Sequence, residues 1–462
     1  MLLHQRQFII GPKPYLLNKN WSYKKITSKY YLSHCKDLPV LLTKDANECS
    51  WFLIGLAYQS VAERADPKSE IQFSQTKNVS KAYTSWSGRW VLVGNDSLHM
   101  DACGLLGCYY QIINKGKAKE LIISSSAALI NEVSNPSPII ESSSYIEHAR
   151  GMDWFPPPQS KFRNINRLLP SQILNFSNNK ELITPRSLLF PISPNLKYEE
   201  KIFILKECLS TILRNIAKVN EPIWIALSGG YDSRLLLSAL HYTGLEAKSY
   251  TYDKPSISKA DLKYPPLLSK LVGIEHQLIK RKNFSNEISN LFDSHTAKHC
   301  VDIDRSYFAH GQWGSLPKPA FILRGGVNSV GKCNYYRKFP EKLPNSPQEI
   351  TQLILNVFKF NQNSQAHQKG IFEFASWMLA NPQNQLDWRE RLFIEQRIAG
   401  WLSSIEQGID LAGYNSLHIT NCTYYLSVLL SISDQKRKAK KHIVDLMQLM
   451  SPSLLKYPFN RV

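Results

Sequence analysis

Ile223-Trp224-Ile225-Ala226-Leu227-Ser228-Gly229-Gly230-Tyr231-Asp232-Ser233-Arg234 is the stretch on which the fold of this 462-residue chain turns. A short apolar run ending in turn residues reads as a buried strand. The paired glycines let the backbone bend tightly and approach a ligand with no Cβ in the way. Serine and aspartate after the bend suit a helix start. The unpaired N–H groups of that start point outward, where they bind a phosphate anion. Ser228 and Ser233 can donate to the same oxygens. Asp232 would repel a phosphate, and its presence makes sense if a divalent magnesium ion lies between them. An ordinary helix start uses the same residue types, so the surrounding pattern decides. No lysine follows the glycines, which excludes the Gly-x-x-x-x-Gly-Lys-Ser/Thr loop.

On either side of the bend the pattern alternates strand and helix. Ile202, Leu205, Leu209, Ile212, Leu213 and Ile216 recur at helical spacing before it. After it, a helix is expected through Arg234–Tyr242, a strand at Ala247–Tyr252, a helix at Ala260–Leu271 and a strand at His276–Ile279. Such alternation predicts a parallel sheet covered on both faces. From Pro347 onward the chain reads as mostly helical. The first third differs: Trp51–Leu56, Arg89–Val93, Leu121–Ser124 and Gln172–Leu174 read as short strands of a β-rich domain with two packed sheets. Pro185, Pro191 and Pro194 mark the linker, so the expected domains are 1–183 and 184–462.

Lys and Arg outnumber Asp and Glu by 56 to 37, a formal net charge of +19. This favours anionic ligands near the surface without dictating a fold. No aromatic-studded basic run occurs, so nucleic acid is not an expected partner. The eight cysteines are scattered, with no Cys-x-x-Cys pair, which favours reduced thiols over a zinc site or disulfide framework. No signal-peptide core or long apolar span is present, and a cytoplasmic location with no membrane partner is expected.

The bend resembles the Ser-Gly-Gly-x-Asp-Ser motif of the ATP pyrophosphatase-loop (PP-loop) enzymes, which cleave ATP between its α- and β-phosphates. Four further stretches follow one another as they do in the asparagine synthetase-like branch. These are Gly88-Arg89-Trp90-Val91-Leu92-Val93, Asp101 to Tyr110, Ser124-Ser125-Ser126-Ala127-Ala128-Leu129, and Phe162 to Pro170. Leu271-Val272-Gly273-Ile274-Glu275-His276 is similar to the Leu-Gly-x-x-His ending of the branch's second helix. The resemblance implies a two-domain chain, α/β combined with α+β. Its first domain would be an Ntn-hydrolase-like β-sandwich of glutaminase type. Its second would be an adenine-nucleotide α-hydrolase-like parallel sheet with added helices. It further implies ATP and Mg2+ as cofactors, with Leu227, Ser228, Gly229, Gly230, Asp232, Ser233, Tyr252 and Gly325 at the nucleotide and Asp232 at the metal. Lys441 stands where relatives carry a catalytic lysine that stabilises the adenylation transition state.

Three departures from the family pattern shape the expected activity. Leu2 replaces the glutaminase nucleophile, so the first domain is expected to be inactive. Asn328-Ser329 replaces an acidic residue that helps hold magnesium, for which Asp302 and Asp304 are substitutes to consider. The family's Glu-x-Arg-x-Pro-Phe-Leu-Asp segment has no counterpart at Asn415–Cys422, which argues against asparagine as product. The expected function is therefore an ATP-dependent carbon–nitrogen ligase that adenylates an acidic small molecule, sugar or peptide. The amine donor is open, and homo-oligomerisation is compatible. An intramolecular lactam-forming cyclase and a non-catalytic nucleotide-binding relative are the alternatives. Glu395 and Arg397, two apart on a helix, read as surface or interdomain ion-pair residues, and Tyr335-Tyr336 as a packed aromatic pair or an acceptor contact.

Overall fold

Alternating apolar residues build the first part of the chain into two stacked sheets. A computed structural model describes residues 3–63, 66–115, 118–134, 138–139, 152–176, 181–253, 257–280, 285–299, 316–358 and 364–459. Leu2, Asp302 and Asp304 lie outside the described residues. The early strands are β1 (Phe8–Gly11), β2 (Trp21–Lys25), β3 (Tyr31–Cys35), β4 (Val40–Lys44), β5 (Ser50–Gln59) and β6 (Trp86–Gly94). They continue with β7 (Ser97–Met100), β8 (Tyr109–Lys115), β9 (Ala118–Ser124), β10 (Asn166–Arg167), β11 (Gln172–Asn175) and β12 (Ile183–Pro185). One sheet runs β10-β8-β9-β1-β3-β2 and the other β12-β11-β7-β6-β5-β4, with antiparallel pairing in both.

Period-two geometry explains the stacking. Phe8 and Ile10 of β1 meet Phe52 and Ile54 of β5 and Val91 and Val93 of β6 in one core. Ile9 points the other way, to Trp21 and Leu129, while Trp51, Leu53, Trp90 and Leu92 form a third cluster on the far face. β5 and β6 come so close that a Cβ on Gly88 (φ +125°) would lie 2.1 Å from the Leu56 carbonyl oxygen.

The second part has helices packed on a five-stranded parallel sheet. In chain order come α1 (Tyr198–Ala217), β13 (Ile223–Ala226), α2 (Tyr231–Thr243), β14 (Lys248–Tyr252), α3 (Lys259–Leu271), β15 (His276–Ile279), β16 (Phe321–Leu323) and β17 (Asn415–Leu417). The sheet order is β15-β14-β13-β16-β17, all parallel. The chain steps outward from β13 to β15, then returns to the other side of β13 through β16. β17 interrupts the expected helical run after Pro347, because three residues suffice to extend a sheet edge beside β16. A π-helix, Phe393–Leu402, follows the helix Trp388–Leu392. No helix among the described residues is long and apolar enough to cross a membrane.

Buried charge joins the two parts. Arg89, on β6, donates both terminal nitrogens to Asp410, at 2.9 and 2.8 Å. Glu406 accepts from Arg324, His418 Nε2 at 2.9 Å and Ser416 Oγ at 2.6 Å. Burial alone would push the Glu406 carboxyl up, but Arg324, His418 and Arg89 outweigh it and hold it well below the ordinary carboxylate range. Asn421 ties the same seam, donating to Gly88 O at 2.6 Å and Asp101 Oδ1 at 2.8 Å. Glu395 and Arg397 also bridge the parts. Glu395 accepts from the Ser171 hydroxyl at 2.5 Å, and Arg397 pairs with Asp153 at 3.4 Å.

Candidate functional site

β13 ends where the sheet order reverses, with β14 on one side and β16 on the other. Open parallel sheets bind ligands at such a switch point. The expected residues gather there. Leu227 and Ser228 follow β13, Gly229 and Gly230 form the bend, and Asp232 and Ser233 sit in the first turn of α2. Tyr252 closes β14 on one side, and Gly325 follows β16 on the other. Gly325 has to be glycine, because a Cβ there would lie 2.9 Å from the Asp232 carbonyl carbon.

Side chains brace the bend from within. Ser233 Oγ accepts from Ser228 N–H at 3.0 Å and donates to Ser228 O at 3.2 Å, and the two hydroxyls lie 2.9 Å apart. Gly230 N–H donates to Ser228 Oγ at 3.2 Å. Gly229 N–H donates to Asp261 Oδ1 at 2.8 Å, a carboxylate reaching in from α3. In that contact an anionic oxygen sits on a glycine N–H.

Arg234 locks the bend to the far end of the described chain. Its guanidinium donates to the carbonyls of Gly229 (2.9 Å), Leu454 (3.2 Å), Tyr457 (2.6 Å) and Pro458 (2.9 Å). Phe459 stacks on Tyr231 with centroids 3.7 Å apart.

Asp232 is tied down in a way the sequence did not reveal. Its Oδ2 lies 2.6 Å from Lys332 Nζ, while Oδ1 is sealed from solvent with no hydrogen-bond donor. Burial pushes its carboxyl above the ordinary value, against the pull of Lys332 and Lys440. Asn328 donates its amide to Asp232 O at 2.9 Å and accepts from Thr420 Oγ1 at 2.6 Å. The residues therefore do not fit a magnesium ion. Both carboxylates at the bend are already engaged, Asp232 by the Lys332 ammonium and Asp261 by the Gly229 N–H, and no group of three metal-ligating side chains exists among the described residues.

Lys441 is not brought to the bend. Half-exposed, it pairs with Asp445 at 2.8 Å on the outer side of the helix Lys441–Met450. Lys440 points inward instead, its Nζ 4.6 Å from the Tyr231 ring centroid. The left-handed conformation of Lys440, φ +57°, turns the chain between the two lysines.

A cavity of about 530 Å³ opens beside the loop after β16, lined by Ser329, Asn334, Tyr335, Lys338, Arg397 and Trp401 among others. The Arg397 guanidinium stacks 3.7 Å above the Trp401 ring. Tyr335 lines this cavity while packing edge-on against Phe339, Phe358 and Phe393. A larger recess of about 780 Å³ lies at the opposite, amino ends of the strands, around Ile223, Lys248 and Glu275.

No model of a known protein family matches the chain, and no curated protein matches its sequence. Among solved structures it is similar to NMN synthetase from Francisella tularensis, at 15% identity over 45% of this chain and 95% of that one, with a TM-score of 0.20. It is also similar to the allosteric regulatory enzyme of purine biosynthesis, at 10% identity over 72% of this chain and 71% of that one, TM-score 0.24. A third is glutamine phosphoribosylpyrophosphate amidotransferase from B. subtilis complexed with ADP and GMP, at 10% identity over 79% and 87% of the two chains, TM-score 0.24. Overlaps this slight carry no weight for function.

Proposed function

We propose that the chain binds ATP at the carboxyl ends of its parallel sheet and uses it to join a carboxylate to an amine. The observation that carries this reading is the glycine bend at the switch point, with Gly229 N–H already gripping an anionic oxygen. A phosphate replaces the Asp261 carboxylate in that contact. The substrate carboxylate attacks the α-phosphorus, the bond to the bridging oxygen breaks, and pyrophosphate leaves into the bend. An amine or ammonia then displaces AMP from the acyl-adenylate. The cavity lined by Lys338 and Arg397 suits the acidic substrate, a small molecule, sugar or peptide. Lys440, rather than Lys441, is the cation beside the bend.

The purified chain, given ATP and a panel of carboxylic acids and amines, is expected to release pyrophosphate only when an acid is present. Gly325→Val, which pushes into Asp232, is expected to abolish that release while leaving the fold intact by circular dichroism. Failure to bind ATP sinks the reading. A second reading, nucleotide binding without turnover, is favoured by the Lys332–Asp232 pair. ATP binding with no pyrophosphate release across the panel selects it.

A further inference from the structure

A carboxylate at the start of α2 needs a counter-charge before a polyphosphate can approach it. Lys332 supplies one from within the chain, 2.6 Å from Asp232 Oδ2, with its side chain only 16% exposed. The neighbouring positions are closed to a metal. Asn328 spends its side chain on Asp232 O and Thr420, and the Ser329 hydroxyl donates to Gly326 O at 2.6 Å. Lys440 adds a second ammonium over Tyr231. Lys332 by itself cancels the Asp232 charge, and Lys440 adds to the positive field around that carboxylate.

Resting on the nucleotide reading above, we propose that Lys332 replaces the divalent cation at this bend, so that the chain binds its polyphosphate ligand metal-free. The ammonium is covalently tethered and asks for no octahedral set of oxygens, which the site does not offer. It cancels the Asp232 charge that would otherwise repel the phosphates. Freed of Lys332, Asp232 would again need an external cation.

ATP binding to the full chain, followed by calorimetric titration in excess EDTA and in excess MgCl2, tests this. The two dissociation constants are expected to agree within about threefold. Lys332→Met is expected to weaken binding in EDTA by roughly tenfold or more, with Mg2+ recovering most of the loss. Lys332→Arg keeps the charge and is expected to keep the metal independence. Thermal melts show whether each variant folds, and the wild-type comparison stands without them. Wild-type binding that requires Mg2+, or a Lys332→Met variant as tight in EDTA as wild type, overturns the inference while leaving the nucleotide reading standing. No ATP binding with or without Mg2+ overturns both.

Discussion

Adjacent lysines at the start of one helix show how much a single residue step decides. Lys440 faces Tyr231 and acts on Asp232, whereas Lys441 pairs with Asp445 at the surface. Lys440→Met is therefore expected to weaken ATP binding by about tenfold, and Lys441→Met to change it less than about twofold, in the same titration. The reverse order would return the role to Lys441. The sequence made the bend itself legible, because Leu227 to Ser233 are contiguous and their chemistry is local. Lys332 was not legible. It meets Asp232 across 100 positions, and a lysine in a loop has no pattern that names its partner. The left-handed turn at Lys440 was equally silent, since a run of basic residues carries no signal of direction.

At the scale of elements, period and length governed what could be read. α1 announced itself through apolar spacing, α2 and α3 through the alternation of strand and helix around the bend, and β15 was bounded correctly as His276–Ile279. β16 and β17 were missed because three residues are too few to display alternation. The alignment of α2 with the segment after the helix Lys441–Met450 was hidden as well, since Arg234 binds carbonyl groups, which every residue has. Arg234→Met removes the donor to four buried or half-buried carbonyls and is expected to cost about 1–3 kcal/mol in denaturant unfolding. Limited proteolysis is expected to cut first near Leu454–Phe459 in this variant. An unchanged cleavage pattern would mean that Phe459 stacking on Tyr231 holds the segment without Arg234.

Over the whole molecule, the parts are joined by polar groups buried in fixed ionisation states, and this ties stability to pH. Burial pushes His295 and His299 down to about 3, and His367 and His442 down to about 4. His295 shows why: its Nδ1 accepts from His4 N–H at 3.2 Å and its Nε2 donates to Gln407 O at 3.0 Å, so a second proton has nowhere to go. Above the ordinary histidine value of 6.5 neither the folded nor the unfolded chain binds these protons. As pH falls below it, the unfolded chain takes them up and the folded chain refuses. Each such histidine then costs about 1.4 kcal/mol of stability per pH unit, until the pH reaches its folded value. Denaturant unfolding is expected to show stability declining from pH 7 to pH 5.5, with a shallower slope in His295→Gln. A flat profile would show that these rings open to solvent. The change from a β-rich part to alternating strand and helix was visible in the sequence as a change of period, but the Arg89–Asp410 and Asn421–Asp101 contacts across the seam were not, because they join residues hundreds of positions apart. The Arg234 clamp has a consequence for biosynthesis. Its partners lie 220 to 224 positions downstream, so a nascent chain leaving the ribosome carries the glycine bend long before the carbonyls that fasten it have been translated. Half-made molecules therefore hold the bend with the Gly229 contact of Arg234 alone, short of the other three.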